Sequence, residues 1–285
     1  MILGAGLAAL GLLIGLPTQL TYLWHLWTTD GLNSIGILIP LLCIWLCLRA
    51  WRGREWGTDS TWWGFVLIAG VLAISLASRY GGMAFARGPS SADRINLFPA
   101  GVMIFAYVSG AVLFLGGIEA WKQARFGLLL LLLVNPVPHI FRNLIDLPLQ
   151  FIAASIARGF AAWLVIALIG DRLHLLFEPQ LGMFIAPGCN GLRGSVAMGL
   201  LALIFGHLRG LKWLPLLIFT GCAVALAYLF NLLRLCTLVL AYKVALAMPQ
   251  LGPHLLAVDY LIGGVLFVTA VLFVFEAPKV FTSRH

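Results

Sequence analysis

WLPLLIFTGCAVALAYLFNLLRLC, residues 213–236, has Arg234 as its only charged residue. About 20 predominantly apolar residues cross the hydrocarbon core of a bilayer as a helix, so this stretch reads as a membrane span. Working outward, comparable runs occupy 1–16, 34–48, 62–78, 97–121, 126–138, 149–169, 192–206 and 260–276. Of 285 residues, 62% are hydrophobic and 10% are charged, with a mean hydropathy of +1.02. Soluble domains carry about 25% charged residues, so the chain has too little polar surface for a water-soluble globule. A soluble enzyme, a disulfide scaffold and a disordered chain are excluded. The expected fold is an all-α polytopic transmembrane bundle of about 8 spans plus a short re-entrant element, forming a single integral membrane domain over 1–285.

The formal charge of +8 sits in short clusters between apolar runs, as the positive-inside rule requires. Arg49, Arg52 and Arg54 follow the second run, and Lys122 and Arg125 the fourth. His207, Arg209 and Lys212 lie between the seventh and eighth, and Lys279 and Arg284 close the chain. Taking these clusters as cytoplasmic puts the N-terminus inside, and the first run reads as a retained span because it lacks a basic leader. Trp24–Asn33, Arg79–Arg94, Leu173–Cys189 and Lys243–Asp259 then face outward. No basic stripe is long enough to track phosphates, so no nucleic-acid partner is expected; membrane lipid is. An odd number of crossings must separate residue 126 from Cys189, so one of the runs 126–138 and 149–169 is not a full crossing. The shorter, ended by Pro136 and Pro138, is expected to be short or re-entrant.

Three side chains converge on the outward end. Cys189 follows Pro187-Gly188, a turn signal, and precedes an apolar helix beginning near Leu192. A thiol at a helix N-terminus has its thiolate favoured by unpaired amides and the helix dipole, and Arg193, at i+4, can stack over it. Arg234 lies roughly 30 Å along its run from Trp213, near the outer surface, with Asn231 one turn away. An isolated arginine at this depth can also simply snorkel to the headgroups. His254 follows Gly252-Pro253 just before the last run. A nucleophilic thiol needs a base and an oxyanion donor, and Cys, His and Arg supply those roles, which makes acyl chemistry the leading reading.

Cys189-Asn190-Gly191-Leu192-Arg193, then Asn231-x-x-Arg234, then His254 resemble the ordered Cys, Arg and His signatures of the exosortase/archaeosortase family. Pro136-Val137-Pro138 and Leu147-Pro148-Leu149-Gln150 are similar to that family as well, so the likeness covers roughly 125–275. Asn190 stands where the family usually has Ser, and Gly263-Gly264 come later than the family's glycine after the His. The resemblance implies a catalytic core over 125–276, and the N-terminal spans over 1–121 match the family only in being apolar. It implies a membrane cysteine transpeptidase or protease, with Cys189, Arg234 and His254 catalytic. Its partners would be exported proteins bearing a C-terminal sorting signal of a Pro-Glu-Pro-type motif, a hydrophobic helix and a basic tail. It would sit in the cytoplasmic membrane with the site facing outward. Asn190 and Arg193 flank the nucleophile in a supporting role, Asn231 is expected to orient Arg234, and Asp259 to orient the His254 imidazole.

Other polar groups receive plainer readings. His174 and Glu178 are four apart, but no third ligand follows at usable spacing, so no metal is expected. Cys43 and Cys47, also four apart, read as packing within a span. Gly81-Gly82 and Gly116-Gly117 are too short for a phosphate loop, and no cofactor is expected. Arg158, within a run, must face protein or water. The rival reading is a transporter or channel with Arg158, Arg234, Asn231 and Asn135 lining a polar path. Few acidic residues and no inverted repeat count against it. A non-catalytic scaffold of an export complex is a third reading.

Overall fold

The computed structural model describes residues 2–31, 33–52, 60–80, 99–135, 139–166, 169, 173–178, 181–184 and 191–282. These are almost entirely helical and divide into two compact units, Met1–Ile140 and Phe141–His285.

In the first unit, α1 (Ile2–Gly15) and α2 (Pro17–Thr29) meet at an 81° bend. Pro17 causes it. Proline opens a helix well but disfavours helical backbone in the residue before it, and Leu16 has left that region, with ψ of 37°. The first apolar run is therefore one arm of a bent pair. After a short 3-10 turn come α3 (Leu38–Trp51), α4 (Trp62–Tyr80) and α5 (Ala100–Leu130). Side-chain donors tie them together: Ser75 Oγ donates to the Gly15 carbonyl (2.7 Å), Tyr107 to that of Ala8 (3.1 Å) and Trp51 Nε1 to that of Ala120 (3.0 Å).

α5 contains one non-helical residue, Gly117, with φ 71° and ψ −173°. In a straight helix Gly101 and Leu131 would stand about 45 Å apart. Here a Cβ on Gly101 would lie 3.0 Å from the Leu131 carbonyl oxygen, so the chain doubles back at Gly117. Only glycine reaches that combination of angles at no steric cost. The expected break at Lys122–Arg125 is thus displaced by one to two turns. Lys122 lies inside the returning arm, paired with Glu119 at 2.8 Å. Residues 126–133 are the end of this arm and its closing 3-10 turn rather than a separate re-entrant element; 136–138 lie outside the described residues.

In the second unit, α6 (His139–Trp163) runs through Pro148 and starts ten residues before the expected run. Two short antiparallel strands follow, β1 (His174–Glu178) and β2 (Leu181–Phe184), paired as His174↔Phe184, Leu175↔Met183 and Leu176↔Gly182. This two-stranded hairpin is a small addition to an otherwise helical chain, and the all-α expectation fits. Then come α7 (Leu192–Leu208), α8 (Trp213–Ala247), a 3-10 turn at Pro249–His254 and α9 (Leu255–Thr282).

Two apolar clusters order these elements. Met198 and Ala202 of α7, Phe219, Ala223 and Ala227 of α8, and Ala270 and Val274 of α9 form one. The other joins Ala153, Ala154, Ala157 and Ala161 of α6 to Leu175 and Phe177 of β1 and to Leu235 and Val239 of α8. Alanine at these spacings keeps one narrow stripe facing the neighbour and allows close helix contact.

Among the described residues five helical segments are long and apolar enough to cross a membrane, six if the bent α1–α2 pair counts as one. One of the five, Ala100–Leu133, is the segment that doubles back. α4 and α7 are apolar but shorter. The chain is a multi-pass membrane protein, and the expected count of about 8 spans is not reached by helix length.

Candidate active site

The site is built where α7 begins. Gly191 is the residue before α7, with φ +84°, and its carbonyl accepts from Ser195 N at 2.9 Å, the first helical bond. A Cβ on Gly191 would fall 2.8–2.9 Å from Nδ2, Cβ and Cγ of Asn231. The turn therefore rests directly on the α8 residue that opens the Asn231-x-x-Arg234 motif. Two of the three sequence signatures meet here through a glycine. Cys189 and Asn190, immediately before it, lie outside the described residues. Further down, Gly199 packs on Thr220 and Val224, and Gly206 on Leu216 and Phe219, so α7 and α8 run antiparallel. Arg193 is exposed, whereas Gly191 and Ser195 are buried.

Arg234 sits one turn beyond Asn231. Its Nε donates to Asp259 Oδ1 at 2.8 Å and its NH2 to Oδ2 at 2.7 Å, a bidentate pair between α8 and α9. Both side chains are about one-fifth exposed. A Cβ on Gly263, one turn further along α9, would lie 3.2 Å from Arg234 Nε. The guanidinium is thus pinned between a carboxylate and a bare stretch of backbone. Asp259, expected to orient His254, engages Arg234; Asn231, expected to orient Arg234, is also the seat of the Gly191 turn.

His254 ends the 3-10 turn that precedes α9 and is exposed. It stands five residues before Asp259, about 7 Å along the axis at helical rise. The same helix therefore begins at the imidazole and carries the partner of the arginine.

α6 and the hairpin flank the site. Tyr228 donates to the Leu149 carbonyl (3.4 Å) and Lys243 Nζ to that of Leu164 (3.1 Å); the constant offset means that α6 and α8 run parallel. Asp146 and Gln150 are buried, and Ser195 Oγ is buried with no hydrogen-bond partner among the described residues. Phe177 of β1 stacks on Tyr242 with ring centroids 4.8 Å apart, and Tyr242 donates to the Gly182 carbonyl at 3.1 Å. The hairpin is fastened in this way to α8, and β2 ends five residues before Cys189. His174 and Glu178 both fall on β1. Cys43 and Cys47 are buried within α3, sulfur to sulfur 4.0 Å, and Arg158 is half-buried on α6.

Sequence reading missed the Asp259–Arg234 pair, the Gly263 contact and the Tyr242 fastening. The first had a signal: one arginine and one aspartate in adjacent apolar segments are expected to find each other, since unpaired charge is costly in lipid. Nothing in the spacing marked the other two.

A family model for transmembrane exosortases matches residues 27–276, most of the chain. No curated protein and no solved structure matches.

Proposed function

The chain belongs to the transmembrane exosortase family, and on that footing we propose that it is a membrane cysteine transpeptidase or protease. It acts on exported proteins that end in a Pro-Glu-Pro-type motif, a hydrophobic helix and a basic tail. The site lies at the outer face of the cytoplasmic membrane. The observation that carries this reading is the seating of the Gly191 turn on Asn231, one turn from the fixed Arg234 guanidinium. Cys189 stands two residues before that turn in the sequence, and on this reading it is the nucleophile that Arg234 serves as oxyanion donor.

The chemistry follows from the three groups. His254 takes the Cys189 proton, and the thiolate attacks the scissile carbonyl to form the S–C bond. Arg234 stabilises the oxyanion of the tetrahedral intermediate. Collapse breaks the C–N bond, and His254 returns its proton to the leaving amine. The thioester is then opened by an acceptor amine or by water, with His254 again taking the proton and restoring the thiol. The substrate's own apolar helix docks in the membrane beside the bundle, which holds the scissile bond at the surface.

The test is a co-expressed reporter with such a C-terminal signal, followed by size on a gel. Cys189→Ala, Arg234→Ala and His254→Ala are expected to leave the protein in the membrane at normal levels while full-length reporter accumulates. Processing that survives Cys189→Ala discards the cysteine mechanism.

A further inference from the structure

The contact between Arg234 and Asp259 is more specific than charge neutralisation requires. Any approach within about 4 Å makes an ion pair. Here each oxygen of the carboxylate takes a separate N–H, at 2.8 and 2.7 Å, which fixes the plane of the guanidinium as well as its position. Of the five N–H donors of an arginine, Asp259 takes the Nε side of the fork, and the donors of NH1 belong to the opposite edge. Gly263 completes the clamp. A Cβ there would lie 3.2 Å from Nε, 3.4 Å from Cδ and 3.7 Å from Cζ, whereas at Gly264, the next residue, a Cβ would meet nothing within 4 Å.

We propose that Asp259 is the positioning residue of Arg234 and that Gly263 makes the space for it, so that α9 sets the direction in which the guanidinium meets the developing oxyanion. This deepens the cysteine reading and rests on it. A donor aimed in advance needs no reorganisation as charge develops. An arginine left to snorkel samples many rotamers, and misplacement of a reacting group by about 1 Å costs about 10²-fold in rate. The carboxylate removes that freedom by fixing the plane of the guanidinium.

The test uses purified full-length protein in liposomes with a reporter precursor bearing the C-terminal motif, apolar helix and basic tail. kcat and KM are measured separately for Asp259→Asn, Asp259→Glu, Gly263→Ala and Gly264→Ala, with folded yield and thermal unfolding alongside. Asp259→Asn is expected to lower kcat about 10²-fold at nearly unchanged KM, as for a group acting only in the transition state, and Gly263→Ala, whose methyl group crowds Nε by only a few tenths of an ångström, to lower it by a smaller factor. Asp259→Glu restores part of the rate, and Gly264→Ala matches wild type. If the pair serves only to hold the bundle together, unfolding temperature falls while kcat per folded molecule stays normal, and the proposal is overturned. Where Asp259→Asn does not fold, the two glycine variants decide: equal kcat in both overturns it. Cys189→Ala is run in parallel. Residual turnover there overturns the cysteine reading, whereas loss of turnover there with a normal Gly263→Ala overturns the positioning role alone.

Discussion

Gly191 carries two constraints at one position. Its φ of +84° is a left-handed conformation that costs a side chain about 1–2 kcal/mol, and its Cα faces Asn231 at a distance that admits no methyl group. The clashing atoms include Asn231 Cβ, which is not the flexible end of a side chain, so the turn or α8 has to move. Gly191→Ala is therefore expected to abolish or strongly reduce reporter processing while the protein still reaches the membrane, because the displaced turn carries Cys189 with it. Gel analysis of the reporter beside a membrane immunoblot checks this; normal processing would show that the turn does not position the nucleophile. At this scale the sequence was partly legible. Cys189, Asn231, Arg234 and His254 announce themselves as polar residues at the ends of apolar runs. The partner of Asp259 was misassigned, because proximity in sequence favours His254, five residues away, whereas the cost of unpaired charge in lipid points to Arg234 on another helix, the contact actually made.

At the scale of elements, the apolar run 213–236 marked the part of α8 expected to lie in hydrocarbon, but α8 continues to Ala247. A helix of that length spans about 52 Å, well beyond the roughly 30 Å of a hydrocarbon core. The extension carries Val239 and Tyr242, which together with Leu235 at the end of the run hold the hairpin and the alanine stripe of α6. Tyr242→Phe keeps the ring stack and loses one hydrogen bond to Gly182, a cost of about 1 kcal/mol. Tyr242→Ala loses the stack as well and is expected to cost about 3 kcal/mol or more. The measurement is thermal unfolding in detergent, with reporter processing impaired more by Ala than by Phe. Indistinguishable variants would mean that the hairpin is not fastened to α8 through this ring. The hairpin itself was invisible in the sequence because a strand pair of so few residues has too short an alternation to register. The reversal inside α5 was misplaced for a different reason. The charges at 122 and 125 mimic a loop, whereas a single glycine at 117 suffices to turn the chain.

For the molecule as a whole, the second unit sets its two kinds of connection at opposite ends. His207, Arg209 and Lys212 cluster at the α7–α8 turn, where Arg209 also lies over the Phe275 ring at 5.5 Å. The 3-10 turn before α9 lies at the other end. With the charge cluster inside, a membrane-impermeant maleimide is expected to label Gln250→Cys from outside intact cells and Lys212→Cys only after permeabilisation, in a background with the native cysteines replaced. The reverse pattern would turn the site to the cytoplasm and remove access to exported substrates. By itself the sequence determined that the chain is a helical membrane protein and where polar residues interrupt its spans, because the cost of placing charge and unpaired backbone in lipid is set by composition and run length alone. Only the tertiary structure decided which of those residues meet. Whether Asp259 reaches His254 or Arg234, and whether Gly191 or a bulkier residue fits against Asn231, depends on the register and close approach of α7, α8 and α9. Those follow from side-chain packing between helices far apart in the chain, which no local pattern encodes.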